Sequence, residues 1–395
     1  MDPEFQPPLR GAPAAETAAE APLSTDGQEM RSAEIAEAGQ DEREYRGLRW
    51  AFIGSQGLRA GWSALFFFLL LGISGFALEL VFSKLHLVGK QESFTAPATF
   101  FSELAIVLAL VATAALVALL EGRSSVLVYN LTGPRRLFHF LSGLVAGFAA
   151  LSALVGALAW GGWMHFGHAA LSGAQIFKFG ALWAAAFLLV GCCEEGVFRC
   201  YLLFTFARGI NFWWALAINA LVCGELLLDT KGNGAWGVYA VALLGLAPCL
   251  ILHIRKTPRS GFWQAAWVTS MLFGFIHTGN NGEDWIGIFA AALIGFVFCV
   301  SVRVTGSAWW AIGCHAAWDW SETYFYGAID SGNVATGHYQ TTTPAGNVLW
   351  SGGADGPEGS LLVLGVALLL LMALLVLYGR KKPVQQTVAA ASVVL

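Results

Sequence analysis

Charge is what this sequence has least of. Asp, Glu, Lys and Arg make up 12% of its 395 residues, whereas 56% are hydrophobic. A soluble globular protein carries about 25% charged residues. The chain cannot clothe a water-facing surface on that supply, which excludes an ordinary soluble enzyme, and no nucleic acid is expected among its partners. Cysteine is missing where disulfides would need it. All seven cysteines (192, 193, 200, 223, 249, 299 and 314) fall inside apolar runs, with no CxxC. They read as small buried hydrophobes, not as disulfides or metal thiolates. An internal repeat of the kind that marks many secondary transporters is also lacking.

What is present is a succession of apolar runs, near residues 61–83, 101–120, 138–163, 177–199, 211–228, 235–254, 262–278, 285–303, 306–326 and 360–378. Most approach the length needed to cross a roughly 30 Å hydrocarbon core. Lipid offers the backbone no hydrogen-bond partners, so such runs must be helical. The expected fold class is all-α, a polytopic transmembrane helical bundle of about 10 spans with its active site within the membrane.

Basic residues predict the sidedness. Arg43, Arg46, Arg49 and Arg59 precede the first span, and Arg123, Arg135 and Arg136 follow the second. Arg208 follows the fourth, Arg255, Lys256 and Arg259 the sixth, Arg303 the eighth, and Arg380, Lys381 and Lys382 the tenth. Both termini are therefore expected to be cytoplasmic, in a multi-pass protein of the cell (inner or plasma) membrane.

Five regions follow. Residues 1–45 form an acidic, Ala-rich tail that cannot make a core and should be disordered. Residues 46–175 hold the N-terminal spans, 176–330 a catalytic core, 331–359 an extracytoplasmic loop, and 360–395 a last span and basic tail. The Gly/Thr-rich stretch 327–359 is long enough for a lid, although plain exposed loop is the simpler reading.

Three constellations place polar chemistry inside these runs. In "GCCEEGVFRCYL", Glu195 and Arg199 stand at i, i+4 in the order that favours an ion pair. Glu194 points about 100° away with no local cation, as a proton-transfer carboxylate would. In "FGFIH", Phe273 and His277 share a helical face. In "GCHAAWDW", His315 and Asp319 do the same, and an Asp in lipid is costly unless partnered. The lone acids Glu79, Glu103 and Glu225 are expected to make interhelical bonds. His253 is expected at an interface, and His139, beside Arg135 and Arg136, to snorkel.

The set "EEGVFR", "FGFIH" and "HAAWD" resembles the EExxxR, FxxxH and HxxxN/D motifs of the CPBP family, over about residues 180–325. These are intramembrane proteases named for CAAX-protein and bacteriocin processing, also called the abortive-infection domain. The resemblance implies that Glu194 is the general base and His277 its partner in activating water. It implies that His315 and Asp319 stabilise the oxyanion, and that Glu195 supports the site through Arg199. An Asn amide, common in the family at the position of Asp319, can donate a hydrogen bond; an ionised Asp cannot. Asp319 must then be protonated, orient His315 or bind a metal. Two versions stay open. In a zinc version Glu194, His277 and His315 are the metal ligands and Glu195 is the base. In a metal-free version, slightly preferred, no cofactor is needed and Glu194 acts on water directly.

One tension remains in the spans as drawn. Glu194 falls toward the basic end of its span, His277 toward the opposite end of its own, and His315 near mid-membrane. Simple straight spans would keep them apart, so residues 262–266 lie outside the core or a helix is broken. The expected function is an intramembrane endopeptidase acting on a membrane-associated or lipid-anchored peptide, with membrane lipid as its other partner. The alternatives are a proton-coupled transporter using the same acids and histidines, or a non-enzymatic immunity or scaffold protein.

Overall fold

The structure, a computed structural model, describes residues 52–54, 57–87, 94–229, 235–257, 260–280, 282–330 and 332–379. The chain divides into residues 1–56 and residues 57–395. Only 52–54 of the first unit are described, and the rest of this account concerns the second. The acidic tail and the basic cluster Arg380, Lys381 and Lys382 lie outside the described residues.

The second unit is helical throughout its apolar runs. Among the described residues, six helices are long and apolar enough to cross a membrane. They are α1 (Ala60–Lys84), α2 (Ala96–Leu120), α3 (Arg136–Trp160), the continuous stretch Ala174–Gly209, α9 (Trp285–Thr305) and α12 (Leu361–Tyr378). Ala174–Gly209 comprises α4 (Ala174–Glu195), a π-helical segment Gly196–Leu202, and α5 (Leu203–Gly209). The other four predicted runs are helical too: α6 (Phe212–Asp229), α7 (Ala235–Ile254), α8 (Gly261–Ile276) and α10 (Trp309–Asp319), which runs on as a second π segment, Trp320–Tyr326. Large apolar side chains such as Phe76, Leu119, Val145, Leu221 and Leu377 face outward. That is the inverse of a soluble surface, and lipid is the solvent that tolerates it.

The helix ends follow local chemistry. The Asp284 carboxylate accepts from the Ile286 and Gly287 amides and starts α9, which stops at Gly306, whose φ of 82° is left-handed. Ser360 likewise accepts from the Leu362 amide to open α12. Pro248, inside α7, removes one backbone donor from that helix.

Two glycine-dependent approaches set the architecture around the site. Cβ atoms at Gly143 and Gly147 of α3 would collide with the carbonyls of Trp310 and Cys314, and one at Gly313 of α10 with that of Phe140. Small residues four apart let α3 and α10 touch backbone to backbone, as membrane helices do where no hydrophobic effect drives them together. That contact fixes the height and rotation of His315.

Residues 327–359 are not the plain exposed loop expected. Strand β1 (Met164–Ala169) pairs antiparallel with β2 (Gln340–Pro344), Met164 opposite Pro344 and Phe166 opposite Thr342. The Thr336 amide donates to the Phe94 carbonyl at 2.8 Å and the Tyr339 amide to that of Tyr324 at 2.7 Å. The short helix α11 (Val348–Ser351) and a 3-10 turn, Pro357–Gly359, complete this segment, called the cap below.

Candidate active site

The conflict between span positions dissolves in the fourth run. It does not end near residue 199 but continues to Gly209, 36 residues in all, or about 54 Å. Glu194 therefore stands about 22 Å from the Gly209 end, not at the edge of its helix. Arg208 marked an end to the apolar pattern, yet it is held by Glu121 with its guanidinium over the Phe204 ring. The helix changes to π geometry directly after Glu195, and the Arg199 carbonyl accepts from the Asn130 side-chain Nδ2 at 2.7 Å. A π turn of this kind displaces side chains that an α-helix would hold in strict register. The second π segment follows directly after Asp319.

Glu195 and Arg199 form the predicted ion pair, Oε1 to Nη1 at 3.2 Å, and both are fully buried. Neither lines the cavity. They stand behind it. The guanidinium lies 4.1 Å from the Phe273 ring centroid and 5.3 Å from that of Phe298. Gly295 makes the room, because a Cβ there would meet Arg199 and Phe273. Nε and Nη2 of Arg199 have no hydrogen-bond acceptor, so the ring faces carry that side of the charge, by cation–π attraction of about 2 kcal/mol when desolvated.

The same Glu195 oxygen accepts from His315 Nδ1 at 2.9 Å. This bond fixes the imidazole's orientation and leaves Nε2 to face the cavity. There it lies 3.5 Å from Asp319 Oδ2 and 3.8 Å from Glu194 Oε2. Phe298 stacks on the ring with centroids 5.8 Å apart. The i, i+4 pairing of His315 with Asp319 is thus present, and Glu194 gains from α10 an imidazole neighbour that its own helix does not offer.

His277 closes α8. Its Nδ1–H donates to the Phe273 carbonyl at 2.7 Å, and its ring lies 4.7 Å from that of Phe273. In a neutral ring Nε2 is then the acceptor nitrogen. Phe273 therefore has two tasks, one face for Arg199 and one carbonyl for His277.

Glu194, His277, His315 and Asp319 line one cavity of about 310 Å³. Four residues that spacing could not find join them there: Glu103 from α2, Asn280 after α8, and Asp330 and Glu358 from the cap. Trp318 Nε1 donates to Glu358, and Thr323 donates to Asp330. Glu103 thus turns into the cavity, whereas Glu79 and Glu225 are exposed. His139 is a correction. It does not snorkel but is buried, its ring 5.7 Å from that of Tyr378.

Outside the spans, burial pushes the Glu358 carboxyl up to about 8, and nearby Asp330 and Glu283 push in the same direction. Burial also raises Glu283 and Asp355, and each is raised further by acidic neighbours.

Among the described residues no three His, Cys, Asp or Glu side chains stand where they could hold one metal ion. The physical reason lies in the pairing. His315 gives Nδ1 to Glu195, its Nε2 is shared between two carboxylates, and His277 closes a different helix. The donor set as it stands does not form the three-ligand site of Glu194, His277 and His315.

Residues 249–321 match a family model described as type II CAAX prenyl endopeptidase Rce1-like. The match includes His277, His315 and Asp319 and stops short of Glu194, Glu195 and Arg199. It bears out the resemblance drawn from the three motifs. No curated protein and no solved structure matches the chain.

Proposed function

We propose that this multi-pass membrane protein, with its CAAX-endopeptidase-like region at residues 249–321, is an intramembrane endopeptidase that uses Glu194 as general base. The observation that carries the reading is the convergence of Glu194, His277, His315 and Asp319 on one cavity, with His315 held from behind by Glu195.

In this reading the attacking water binds between Glu194 and His277, which line the same cavity. The Glu194 carboxylate takes one proton, while His277 Nε2 accepts a hydrogen bond from the other hydrogen and aims the oxygen. That oxygen bonds to the scissile carbonyl carbon. The carbonyl oxygen becomes an oxyanion and receives the hydrogen bond of His315 Nε2–H. His315 acts as imidazolium: a neutral ring would present a lone pair to both Asp319 and Glu194, whereas a charged one is balanced by Glu195 and Asp319. Asp319 therefore orients the ring and does not itself donate to the oxyanion. Collapse of the intermediate breaks the C–N bond as Glu194 returns its proton to the leaving nitrogen, giving a carboxylic acid and an amine.

The substrate class is a membrane-associated or lipid-anchored peptide, because the cavity lies among membrane-crossing helices. The test uses purified protein in lipid bilayers with a library of lipid-anchored peptides, products being read by mass spectrometry. Cleavage by the native protein, its loss in Glu194→Gln with helix content kept, and an unchanged rate under a zinc chelator are expected. A fully active Glu194→Gln variant defeats the assignment, and a chelator-sensitive rate defeats the metal-free step.

A further inference from the structure

We infer that Asn130 is a positioning residue for the cleavage step: its side chain and its own carbonyl together set α10, and with it His315, against α4, which carries Glu194 and Glu195. The inference rests on the proteolytic reading and deepens it. Asn130 lies in the segment between α2 and α3 and is 3% exposed. Its Nδ2 donates to the Arg199 carbonyl at 2.7 Å, and its carbonyl accepts from the Ala308 amide at 2.8 Å. The first partner lies in the π segment directly after Glu195. The second caps the start of α10, about two turns before His315.

These two bonds close a circuit around the site. Arg199 Nη1 and His315 Nδ1 both donate to Glu195 Oε1. From His315, α10 leads back to Ala308, and Ala308 leads through Asn130 to Arg199 again. The Glu195–His315 bond is thus held from behind as well as at its own two atoms. Without Asn130 the two helices keep that bond but lose the tie that fixes their relative height. The oxyanion donor His315 Nε2 then drifts from its place, and a misplacement of about 1 Å can cost about 10²-fold in rate.

The neighbours of Asn130 follow the same line. The Leu131 carbonyl accepts from Trp309 Nε1 at 3.0 Å. A Cβ at Gly133 would meet the Ser307 Cβ at 3.1 Å and the Gly306 carbonyl at 3.2 Å. Residues 130–133 therefore lie along the turn that opens α10, and Asn130 extends this contact to α4. Its residue type suits both tasks. Its φ of 57° is left-handed, a conformation that Asn adopts more readily than most side-chain-bearing residues. The Arg199 carbonyl needs a donor, which an amide supplies and an ionised Asp does not.

The experiment compares native protein with Asn130→Gly, which keeps the left-handed backbone and removes the amide, and with Asn130→Asp, which keeps the shape. Helix content is followed by circular dichroism. Cleavage of a lipid-anchored peptide in bilayers gives kcat and KM. Solid-state NMR of protein labelled with ¹⁵N-histidine reports on His315, its signal assigned by its absence from His315→Ala. With helix content kept, kcat is expected to fall at least tenfold in both variants, with KM within about twofold of native and the His315 Nδ1 signal shifted or broadened. A smaller fall in kcat in both variants, or an unchanged His315 signal, overturns the inference and leaves the proteolytic reading standing. Loss of helix content in both variants overturns it too, since the bundle then needs Asn130 before the site does. A His315 signal that moves in a protein whose native form cleaves no peptide overturns the proteolytic reading and keeps the placement of His315 by Asn130.

Discussion

Two groups of buried carboxylates stand close together in this molecule under opposite conditions. On the helix wall, Glu195 has Arg199 on one side and His315 on the other, both bonded to the same oxygen. In and beneath the cap, Glu322, Asp355 and Glu358 have other acids as charged neighbours, and His315 stands within electrostatic reach of Glu358. The first group is built to hold an imidazole still. The second sets acid against acid, which raises Asp355 and Glu358. Burial alone does not decide what a carboxylate does; the partner does.

The largest expected effect falls on the wall's cavity-facing member. Glu194→Gln should lower kcat by about 10²- to 10⁴-fold with membrane insertion intact, read by single-turnover cleavage in bilayers. Next comes the pair behind it. Arg199→Met leaves Glu195 buried beside His315 alone and should destabilise the protein by about 3–5 kcal/mol, measured by denaturant unfolding in detergent. The double change Glu195→Gln with Arg199→Met should recover part of that loss. A tolerated single change would erase the contrast between wall and cap.

The cap should answer to pH in the opposite sense from an ion-paired acid. Asp355 and Glu358 are raised in the folded state, Glu358 to about 8, so the folded chain binds more protons than the unfolded one above the ordinary carboxyl range. Stability of the cap is then full at low pH and is lost as pH climbs toward about 8. Limited proteolysis within residues 327–359 should be faster at pH 9 than at pH 6; equal rates would show that these acids are compensated. The smallest effect is expected for Asp355→Asn. Removing a buried acid whose charged neighbours among the described residues are Glu283, Glu358 and Asp284 should change stability by less than about 1 kcal/mol, with the pH dependence reduced, by the same assay.

The same division explains what could be read from the sequence. Glu195 with Arg199 and His315 with Asp319 are local pairs, four residues apart on one helix, so spacing alone exposed them. The apolar runs likewise declared their helices. The continuation of the fourth run to Gly209 was hidden because Arg208 looked like an end, its partner Glu121 being 87 positions away along the chain. Glu103, Asp330 and Glu358 carry no local signal at all; long-range packing brings them to the cavity. The cap looked like loop for a related reason, since its strand pairs with residues 164–169, far back in the chain.

The measurement that bears most directly on the central claim is a mutant cycle on cleavage. Rates for Glu194→Gln, His277→Ala and the double variant should be compared in one bilayer assay. If the two groups act on one water molecule, the double variant will be about as slow as the slower single variant, since residues that work as a unit are strongly non-additive. Losses that multiply, or a single variant that keeps full activity, would contradict a shared water and with it the convergent site.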